Sequence, residues 1–219
     1  MPTLSNQTLS RLPLYLNYLK LLDFSKTPTI SAAEIARSLG LNPVLVRKDL
    51  ALISSGGRPK VGHPTETLYM DIQHYLSCDE PVLAVLVGAG NLGSALMAYD
   101  GFKGYGIDIF CAFDADPSLA GRMIKGRPIL DIRKMPDFCL KNQIRIGIIT
   151  VPATYAQQIC DALVDCGVSA IWNFAPIHLK VPPHVLVQNE NMACALALLS
   201  KHLSAASPAP ANPLRENAL

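Results

Sequence analysis

Three glycines that follow an apolar run carry the clearest chemical signal in this chain. The run 82–87 leads directly into Gly88-Ala89-Gly90-Asn91-Leu92-Gly93, which has the spacing G-x-G-x-x-G. In a strand-to-helix turn of this kind, the first glycine permits the tight turn, the second lets a pyrophosphate reach the backbone, and the third lets the helix pack on the strand. The N-terminus of that helix attracts the phosphates. All six residues are therefore predicted to bind a dinucleotide.

An acidic residue stands where such a site needs one. Asp114 ends the next predicted strand about 20 residues after Gly93, where a carboxylate accepts hydrogen bonds from the adenosine ribose hydroxyls. Ala115 follows, with no arginine beside it to bind a 2′-phosphate, so the pattern favours NAD⁺ and NADH over the phosphorylated cofactors. Asp116 is the alternative ribose ligand, although its place before Pro117 is typical of a turn. The alternative without a ligand is a structural turn followed by an acidic strand end.

Two later strand ends are candidates for the nicotinamide side of the site. Thr150-Val151-Pro152 ends one predicted strand, and Phe174 ends another. Ligands of open α/β sheets bind outside the carboxyl ends of the strands. Val151, Pro152 and Phe174 are therefore predicted to lie beside the nicotinamide ring, which is cationic in NAD⁺ and uncharged in NADH. The alternative for Pro152 is a strand that simply ends at a proline.

A hydride-transfer enzyme also needs an acid or base near the nicotinamide ring. Tyr99 and Lys103 have the Tyr-x-x-x-Lys spacing of short-chain dehydrogenases, but Gly101 interrupts the helix that would align them. Their position at the end of the first Rossmann helix also disagrees with that class of enzyme. We therefore predict no catalytic residue and no enzymatic activity. The alternative is a small NAD-dependent dehydrogenase with a helical accessory domain.

A group of cations precedes the glycine run. Arg47 and Lys48 lie on a predicted helix, Arg58 and Lys60 lie in the loop that follows, and Asp49 is the one acidic residue between positions 41 and 62. Cations on a recognition helix contact phosphates or guanine edges in the major groove, and a local basic surface is typical of duplex binding. The alternatives are the solvated basic face of a helical bundle and a surface that docks a protein partner.

The front of the chain is predicted to be helical. Apolar residues recur at helical spacing over 8–22, a capping box at Ser31–Glu34 begins a second helix that Gly40 ends, and Asn42 caps a third helix over 43–53. Two short helices joined by a tight glycine turn form a helix-turn-helix. The Gly-, Pro- and cation-rich segment 54–67 is predicted to be a wing, which leads into a linking helix over 68–76.

From Pro81 onward, β runs alternate with helical segments, which indicates a doubly wound parallel sheet of Rossmann type. Strands are predicted over 82–87, 107–113, 144–151, 170–174 and 185–187, and helices over 91–99, 154–166 and 192–203. The predicted division is a winged-helix DNA-binding domain over 1–78, an NAD(H)-binding Rossmann domain over 79–188, a C-terminal helix over 189–203 and a disordered tail over 204–219.

Composition limits the class of protein. The chain has 219 residues, of which 50% are hydrophobic, and a formal net charge of +2. Its longest apolar run is too short to cross a bilayer, and no signal peptide opens the chain, so a cytoplasmic protein without a membrane partner is predicted. The histidines lack metal-ligand spacing, which predicts no metal site. The even number of cysteines is compatible with disulfides, but a reducing cytoplasm favours free thiols; the six are Cys78, Cys111, Cys139, Cys160, Cys166 and Cys194.

Taken together, five segments resemble the Rex family of redox-sensing transcriptional repressors, over about residues 4–203. They are Thr8-Leu9-Ser10-Arg11-Leu12-Pro13-Leu14-Tyr15, Val46-Arg47-Lys48-Asp49-Leu50, Val87 with the glycine run, Ala112-Phe113-Asp114-Ala115-Asp116-Pro117, and Asn173-Phe174-Ala175-Pro176.

The resemblance implies a homodimer in which the helix over 192–203 is swapped into the partner. It implies a repressor of fermentative and respiratory genes that binds a palindromic operator when NADH is scarce and leaves it when NADH binds. Both NADH and NAD⁺ are implied as ligands. The predicted DNA-binding residues are Arg11, Val44, Arg47, Lys48, Arg58 and Lys60.

The chain departs from the family pattern at three places. The wing reads Lys60-Val61-Gly62-His63-Pro64-Thr65-Glu66 in place of a shorter Gly-x-Gly-Tyr turn, and Gly104-Tyr105-Gly106 stands in place of Arg-Gly-Phe. Glu190-Asn191-Met192 replaces a Val-Asp-Leu whose aspartate pairs with the residue equivalent to Arg11 in one switch state. That ion pair is therefore expected to be lost or moved to Glu190.

Overall fold

A computed structural model describes residues 4–76 and 81–206 of the chain. The chain divides into two compact units, of which the first contains Met1–Val82 with Asp100–Asp108 and the second contains Leu83–Tyr99 with Ile109–Leu219. The segment Asp100–Asp108 thus groups with the first unit, although it lies within the range predicted for the Rossmann domain. Its Tyr105 hydroxyl donates to Asn17 Oδ1 at 2.9 Å.

The first unit contains the predicted helix-turn-helix. Ser31 Oγ accepts the Glu34 N–H at 3.1 Å, Gly40 adopts a φ of 65°, and Asn42 Oδ1 accepts the Val44 N–H at 2.8 Å. These are the caps that the sequence predicts. The elements of this unit are the helices α1 (Asn6–Lys20), α2 (Ala32–Leu39), α3 (Pro43–Ile53) and α4 (Thr65–Leu76), with a two-stranded antiparallel sheet of β1 (Thr29–Ile30) and β2 (His63–Pro64).

The wing is shorter than predicted because α4 begins at Thr65 instead of residue 68. Thr65 is buried, and its N–H donates to the Pro28 carbonyl oxygen at 3.0 Å. This bond holds the start of α4 beside the entry to β1. All four helices contribute to one apolar core, whose fully buried members include Leu12, Tyr15, Leu19, Ile35, Val46, Leu50, Leu68 and Ile72.

The second unit contains, except for the first residues of β3 and β4, a seven-stranded sheet with the order β5-β6-β4-β3-β7-β8-β9. The strand pairs β3–β7, β7–β8, β8–β9 and β4–β6 are parallel, and β5 is antiparallel at the edge. The strands are β3 (Val82–Val87), β4 (Ile107–Asp114), β5 (Met123–Ile124), β6 (Arg127–Asp131), β7 (Ile146–Ile149), β8 (Ala170–Asn173) and β9 (Leu186–Asn189), and the helices are α5 (Asn91–Ala98), α6 (Met135–Lys141), α7 (Ala153–Asp165) and α8 (Met192–Ala206).

The strand order reverses at β3, because the chain passes from β3 outward to β4 and β6 and then returns to place β7 on the other side. This confirms the doubly wound Rossmann-type sheet, and it makes the carboxyl ends of β3 and β7 the point where such folds bind nucleotides. Helix α8 extends to Ala206, past its predicted end at residue 203. Residues 207–219 of the predicted tail, and Cys78, lie outside the described residues. None of the helices in residues 4–76 and 81–206 has the length and apolarity that crossing a membrane demands.

Four cysteines are buried as free thiols in the core of the second unit. Burial raises the pKa of Cys111 and of Cys139 to about 12, and that of Cys160 to about 11. A protonated, buried thiol reacts slowly with electrophiles. The fourth buried cysteine is Cys166.

This burial predicts the labelling behaviour of a variant that carries Cys78→Ala and Cys194→Ala. Under native conditions at neutral pH it should bind almost no maleimide, whereas in denaturant it should bind one reagent on each of the four buried cysteines. Intact-mass spectrometry against time measures both. Rapid native labelling at any of the four sites would contradict their burial.

Candidate functional site

The carboxyl ends of β3 and β7 are joined by side-chain hydrogen bonds. Gly88 follows β3 with a φ of 102°, and Thr150 follows β7. The Thr150 hydroxyl donates to the Gly88 carbonyl oxygen at 2.7 Å, and its oxygen lies 3.0 Å from the Val87 carbonyl oxygen. The turn that leads from β3 into α5 is therefore held at the point where the strand order reverses.

The three glycines of this turn have different surroundings. A Cβ on Gly88 would lie 2.9 Å from the Thr150 carbonyl carbon, and one on Gly93 would overlap the Gly88 carbonyl oxygen. Gly90 differs, because among the described residues beyond its chain neighbours and its own helix backbone no atom lies within 4 Å of where its Cβ would be. Gly90 is the N-cap of α5 and supplies no side-chain cap to that helix. The fold requires Gly88 and Gly93 to lack a side chain, whereas the space at Gly90 is open to a ligand.

Asp114 lies at the end of β4 and contacts the glycine turn. Its Oδ2 accepts the Ala89 N–H at 2.6 Å, and its Oδ1 accepts the Asp116 N–H at 2.9 Å. Each carboxylate oxygen can accept more than one hydrogen bond, so both oxygens keep capacity for ribose hydroxyls. Asp116 instead accepts the Ser118 N–H at 2.8 Å in a local turn, as its position before a proline predicts. Asp114 is therefore better placed than Asp116 for the predicted contact with a ribose.

The predicted nicotinamide-side residues lie at the same edge of the sheet. Val151 and Pro152 follow β7, Phe174 follows β8, and the Phe174 N–H donates to the Ile149 carbonyl oxygen at 2.9 Å. The fully buried Asn173 orders this loop, since its Oδ1 accepts the Ala175 N–H at 3.0 Å while its Nδ2 donates to carbonyl oxygens of the same loop. The structure thus places Val151, Pro152 and Phe174 at the edge that Gly88 also occupies.

A second candidate surface lies on the first unit. A concavity of about 770 Å³ is formed by the start of α2, by α3 and by the wing, and Arg47, Arg58 and Lys60 are among its lining residues. Val44 and Lys48 are exposed on α3. The structure brings three of the predicted DNA-binding cations to one groove and leaves the other two α3 residues accessible.

Local packing determines the course of the wing. The Arg58 N–H donates to the Gly62 carbonyl oxygen at 2.8 Å, and the Gly62 N–H returns a bond of 3.0 Å to the Arg58 carbonyl oxygen. The His63 ring packs against the wing backbone, since a Cβ on Gly57 would come within 2.7 Å of it. The close packing of His63 on Gly57 and the paired bonds between Arg58 and Gly62 therefore hold the wing in place.

Arg11, which the sequence places among the DNA-binding residues, pairs with Asp49 of α3. Its Nε donates to Asp49 Oδ2 at 2.7 Å and its Nη2 donates to Oδ1 at 2.9 Å. The Tyr15 hydroxyl donates to Oδ2 at 2.7 Å, and the Thr8 hydroxyl donates to Oδ1 at 3.1 Å. Three side chains of α1 thus bind one carboxylate of α3. Direct contact between Arg11 and DNA stays a prediction.

These bonds outweigh the cost of burying the charge. Burial alone would raise the pKa of Asp49, whose side chain is 3% exposed. The hydrogen bonds from Arg11 and Tyr15 more than offset this, so the pKa of Asp49 lies below its usual value. Burial, together with the bond to Asp49, raises the pKa of Tyr15 to about 12. Asp49 is therefore ionised at neutral pH. Sequence reasoning counted Asp49 only as a charge opposing the cations, and missed its role in packing.

Comparison with known proteins decides the family. A protein of Treponema denticola named redox-sensing transcriptional repressor Rex is 39% identical over 189 residues, which cover 86% of this chain and 90% of that protein. A Rex of Pelotomaculum thermopropionicum is also 39% identical, over 90% of this chain and 92% of its own length. The chain belongs to the Rex family of redox-sensing transcriptional repressors.

Solved structures of RSP, a Rex-family repressor, match most of the chain. The crystal structure of RSP in complex with β-NAD⁺ and operator DNA has a TM-score of 0.85 and 34% identity, and covers 94% of each chain. RSP in complex with β-NADH has a TM-score of 0.82 and 33% identity, over 94% of this chain and 96% of that one. Two family models also match, one for a CoA binding domain over residues 79–177 and one for a putative DNA-binding protein N-terminus over residues 3–51.

Membership of the Rex family settles the choice between regulator and enzyme. The relatives are transcriptional repressors, which confirms the prediction that the chain is not an enzyme. The Tyr-x-x-x-Lys spacing agrees with this result, because α5 ends at Ala98 and Lys103 lies in a 3-10 helix over Asp100–Tyr105. Tyr99 and Lys103 therefore do not share an α-helix.

The residues that replace the Rex Val-Asp-Leu segment have partners in their own unit. Asn191 Oδ1 accepts the Cys194 N–H at 2.9 Å, so Asn191 caps the start of α8. Glu190 Oε1 accepts hydrogen bonds from Trp172 Nε1 at 3.1 Å and from Gln188 Nε2 at 3.3 Å. The sequence identified both substitutions, but nothing in the local pattern indicated these contacts.

Proposed function

We propose that this Rex family member binds operator DNA through its first unit when NADH is scarce and releases the DNA when NADH binds to its second unit. The observation that carries the proposal is that one chain holds both a glycine-turn crevice and a cation-lined helix-turn-helix. The RSP structures, one with β-NAD⁺ and operator DNA and one with β-NADH, support it.

NADH and NAD⁺ would share the adenosine part of the site. Gly88, Ala89, Gly90, Asn91, Leu92 and Gly93 would bind the pyrophosphate, and Asp114 the adenosine ribose. The two forms differ in the charge of the nicotinamide ring, which would lie beside Val151, Pro152 and Phe174. A ligand shifts a two-state protein only through different affinities for the two states, and a coupling of about 1–3 kcal/mol is typical.

The first unit would contact the duplex through two kinds of residue. Arg47, Lys48, Arg58 and Lys60 would bind phosphates or guanine edges, and the exposed Val44 would contact thymine methyl groups. Arg11 would act mainly through Asp49, by holding α3 in place.

A second copy of the chain is the proposed partner of α8. Four large apolar side chains recur at helical spacing along this helix and are 59–72% exposed, namely Met192, Leu196, Leu199 and Leu203. Burying this row in another copy would remove it from water and would form a homodimer by exchange of the helix. A two-fold dimer matches a palindromic operator. Because its partner is genomic DNA, the proposed location is the cytoplasm.

A mobility-shift titration tests the function. The protein is bound to a palindromic duplex, and NADH, NAD⁺ or coenzyme A is added, the last because one matching family model describes CoA binding. Release by NADH at concentrations where NAD⁺ and coenzyme A have little effect is the expected result. Release by coenzyme A alone, or no binding to any duplex tested at low salt, would contradict the proposal.

Replacing Arg47 by alanine should weaken operator binding about tenfold to a hundredfold, the range expected for one good base contact, and should leave NADH binding unchanged. Arg122→Ala is the matched control, because Arg122 is an exposed arginine of the second unit. Fluorescence anisotropy on labelled duplex measures DNA affinity, and NADH fluorescence measures nucleotide affinity. Parallel loss of both in Arg47→Ala would contradict the assignment of separate sites.

A further inference from the structure

Trp172 links the nicotinamide edge of the sheet to the start of α8. It lies in β8, two residues before Phe174, and its ring centroid is 4.6 Å from that of Phe174 at an interplanar angle of 59°. Its Nε1 donates to Glu190 Oε1 at 3.1 Å. One side chain therefore touches both a residue proposed to contact the nicotinamide ring and the residue directly before the cap of α8.

Glu190 is held on both its backbone and its side chain. Its N–H donates to the Asn173 carbonyl oxygen at 2.8 Å, and its carboxylate accepts from Trp172 and Gln188. Asn191, the next residue, caps α8 through Cys194. Only Asn191 separates Glu190 from α8, so a displacement of Glu190 would move the first turn of α8 with it.

The link includes Glu190, a position at which the sequence departs from the Rex pattern that it resembles. The family commonly has valine where Glu190 stands, and a valine side chain has no acceptor for an indole N–H. The aspartate that follows that valine is Asn191 here, which carries no charge to pair with an arginine. Relative to that pattern, Glu190 gains a negative charge and the neighbouring Asn191 loses one.

We propose that the Trp172–Glu190 hydrogen bond is a positioning link through which the nicotinamide ring controls α8. This inference rests on the function proposed above. A ring that binds beside Phe174 must change the packing of Phe174 on Trp172, since aromatic pairs have preferred geometries. Rotation of the indole moves its N–H relative to Glu190, so the two nicotinamide forms favour different positions of the first turn of α8.

Three variants separate the parts of the link. Trp172→Phe keeps an aromatic ring and removes the donor, Glu190→Val installs the family residue and removes the acceptor, and Glu190→Gln is the matched control that keeps an acceptor. The measurement is the NADH affinity of the free protein divided by that of the protein bound to operator duplex. This ratio should fall about tenfold in Trp172→Phe and Glu190→Val, as expected when one hydrogen bond to a charged acceptor is lost, and should stay near wild type in Glu190→Gln. NADH affinity of the free protein and DNA affinity without NADH should change little in all three.

The double variant Trp172→Phe/Glu190→Val shows whether the two residues act together. Its ratio should equal that of either single variant, because contacting residues in one interaction are not additive. Trp172 is the only tryptophan of the chain, so its emission is a second readout that a general loss of stability would not reproduce. The emission of the folded protein without nucleotide should shift in Glu190→Val and not in Glu190→Gln.

The outcomes test the proposed function and the Trp172–Glu190 link separately. If NADH does not release the wild-type protein from DNA, the proposed function is wrong. Suppose that NADH releases the wild type from DNA, and that Trp172→Phe and Glu190→Val have the same ratio of free to DNA-bound NADH affinity as the wild type. The proposed function then holds and the link is overturned. A double variant whose loss is the sum of the single losses also overturns it.

Discussion

Replacing Gly90 by alanine should lower NADH affinity at least about tenfold, equal to about 1.4 kcal/mol, and should leave the free energy of unfolding nearly unchanged. The φ of Gly90 is −64°, which any L-residue can adopt, and among the described residues beyond its chain neighbours and its own helix backbone its Cβ would meet no atom within 4 Å. The added methyl group would instead occupy the space where a pyrophosphate approaches the backbone. Titration of NADH fluorescence and urea unfolding measure the two quantities.

Gly93→Ala is the contrasting variant, because it should lower the free energy of unfolding, which Gly90→Ala should not. Its Cβ would overlap the Gly88 carbonyl oxygen and lie 2.9 Å from Leu86 Cδ2, so the helix α5 must move away from the sheet. Overpacking of this kind costs about 1–3 kcal/mol of stability. If Gly90→Ala bound NADH as the wild type does, the open space at Gly90 would not be the pyrophosphate site.

Replacing Asp49 by alanine should lower the free energy of unfolding by about 3 kcal/mol and abolish operator binding at physiological salt. Removing one partner of a buried ion pair leaves the other charge without compensation, which is where the cost arises. Here it leaves the Arg11 guanidinium, whose side chain is 15% exposed, and the Tyr15 hydroxyl without their acceptor. The helix α3 then loses the hydrogen bonds that Asp49 accepts from α1. NADH binding to the second unit should persist.

Asp23→Ala is the control for Asp49→Ala. Asp23 is a half-exposed aspartate of the same unit, and its ion pair with Lys26 at 3.3 Å lies on the surface, where such pairs contribute little. It should alter neither operator binding nor stability appreciably. Equal effects of the two substitutions on operator binding would contradict a specific role for Asp49 in holding α3.

The stability of this network should also depend on pH, with a defined sign. The pKa of Asp49 is lowered in the folded protein, so the folded state binds fewer protons at this site than the unfolded state does. Its contribution is present above the unfolded pKa of about 3.9 and is lost as pH falls through the folded pKa. The difference in unfolding free energy between wild type and Asp49→Asn should therefore shrink on acidification.

The features that sequence predicted correctly depend on neighbouring residues. The caps at Ser31 and Asn42, the turn at Gly40 and the glycine run each need only a few consecutive positions, since capping and tight turns are local interactions. The strand β3 and the helix α3 were predicted with the bounds that the structure has. These elements were sufficient to place the candidate site at the reversal of the strand order.

The features that sequence missed depend on residues far apart in the chain or on unusual backbone conformations. Arg11 is separated from Asp49 by 38 positions, and Trp172 is separated from Glu190 by 18. Their contacts follow from how helices cross and which strands are adjacent, and no short pattern specifies either. The β5–β6 hairpin was missed because Lys125 adopts a φ of 44° beside Gly126, and lysine is not a typical residue for that conformation.

The residues of α3 fall into a buried group and an exposed group. Val46, Asp49 and Leu50 are buried, whereas Val44, Arg47 and Lys48 are exposed. If the exposed residues contact the operator as proposed, substitutions there would alter the preferred operator without disturbing the fold, while those on the buried side are constrained by packing whatever the operator is. On that proposal, exchange of these three exposed residues would give a sensor with the same nucleotide response, nearly the same stability and a new set of target genes.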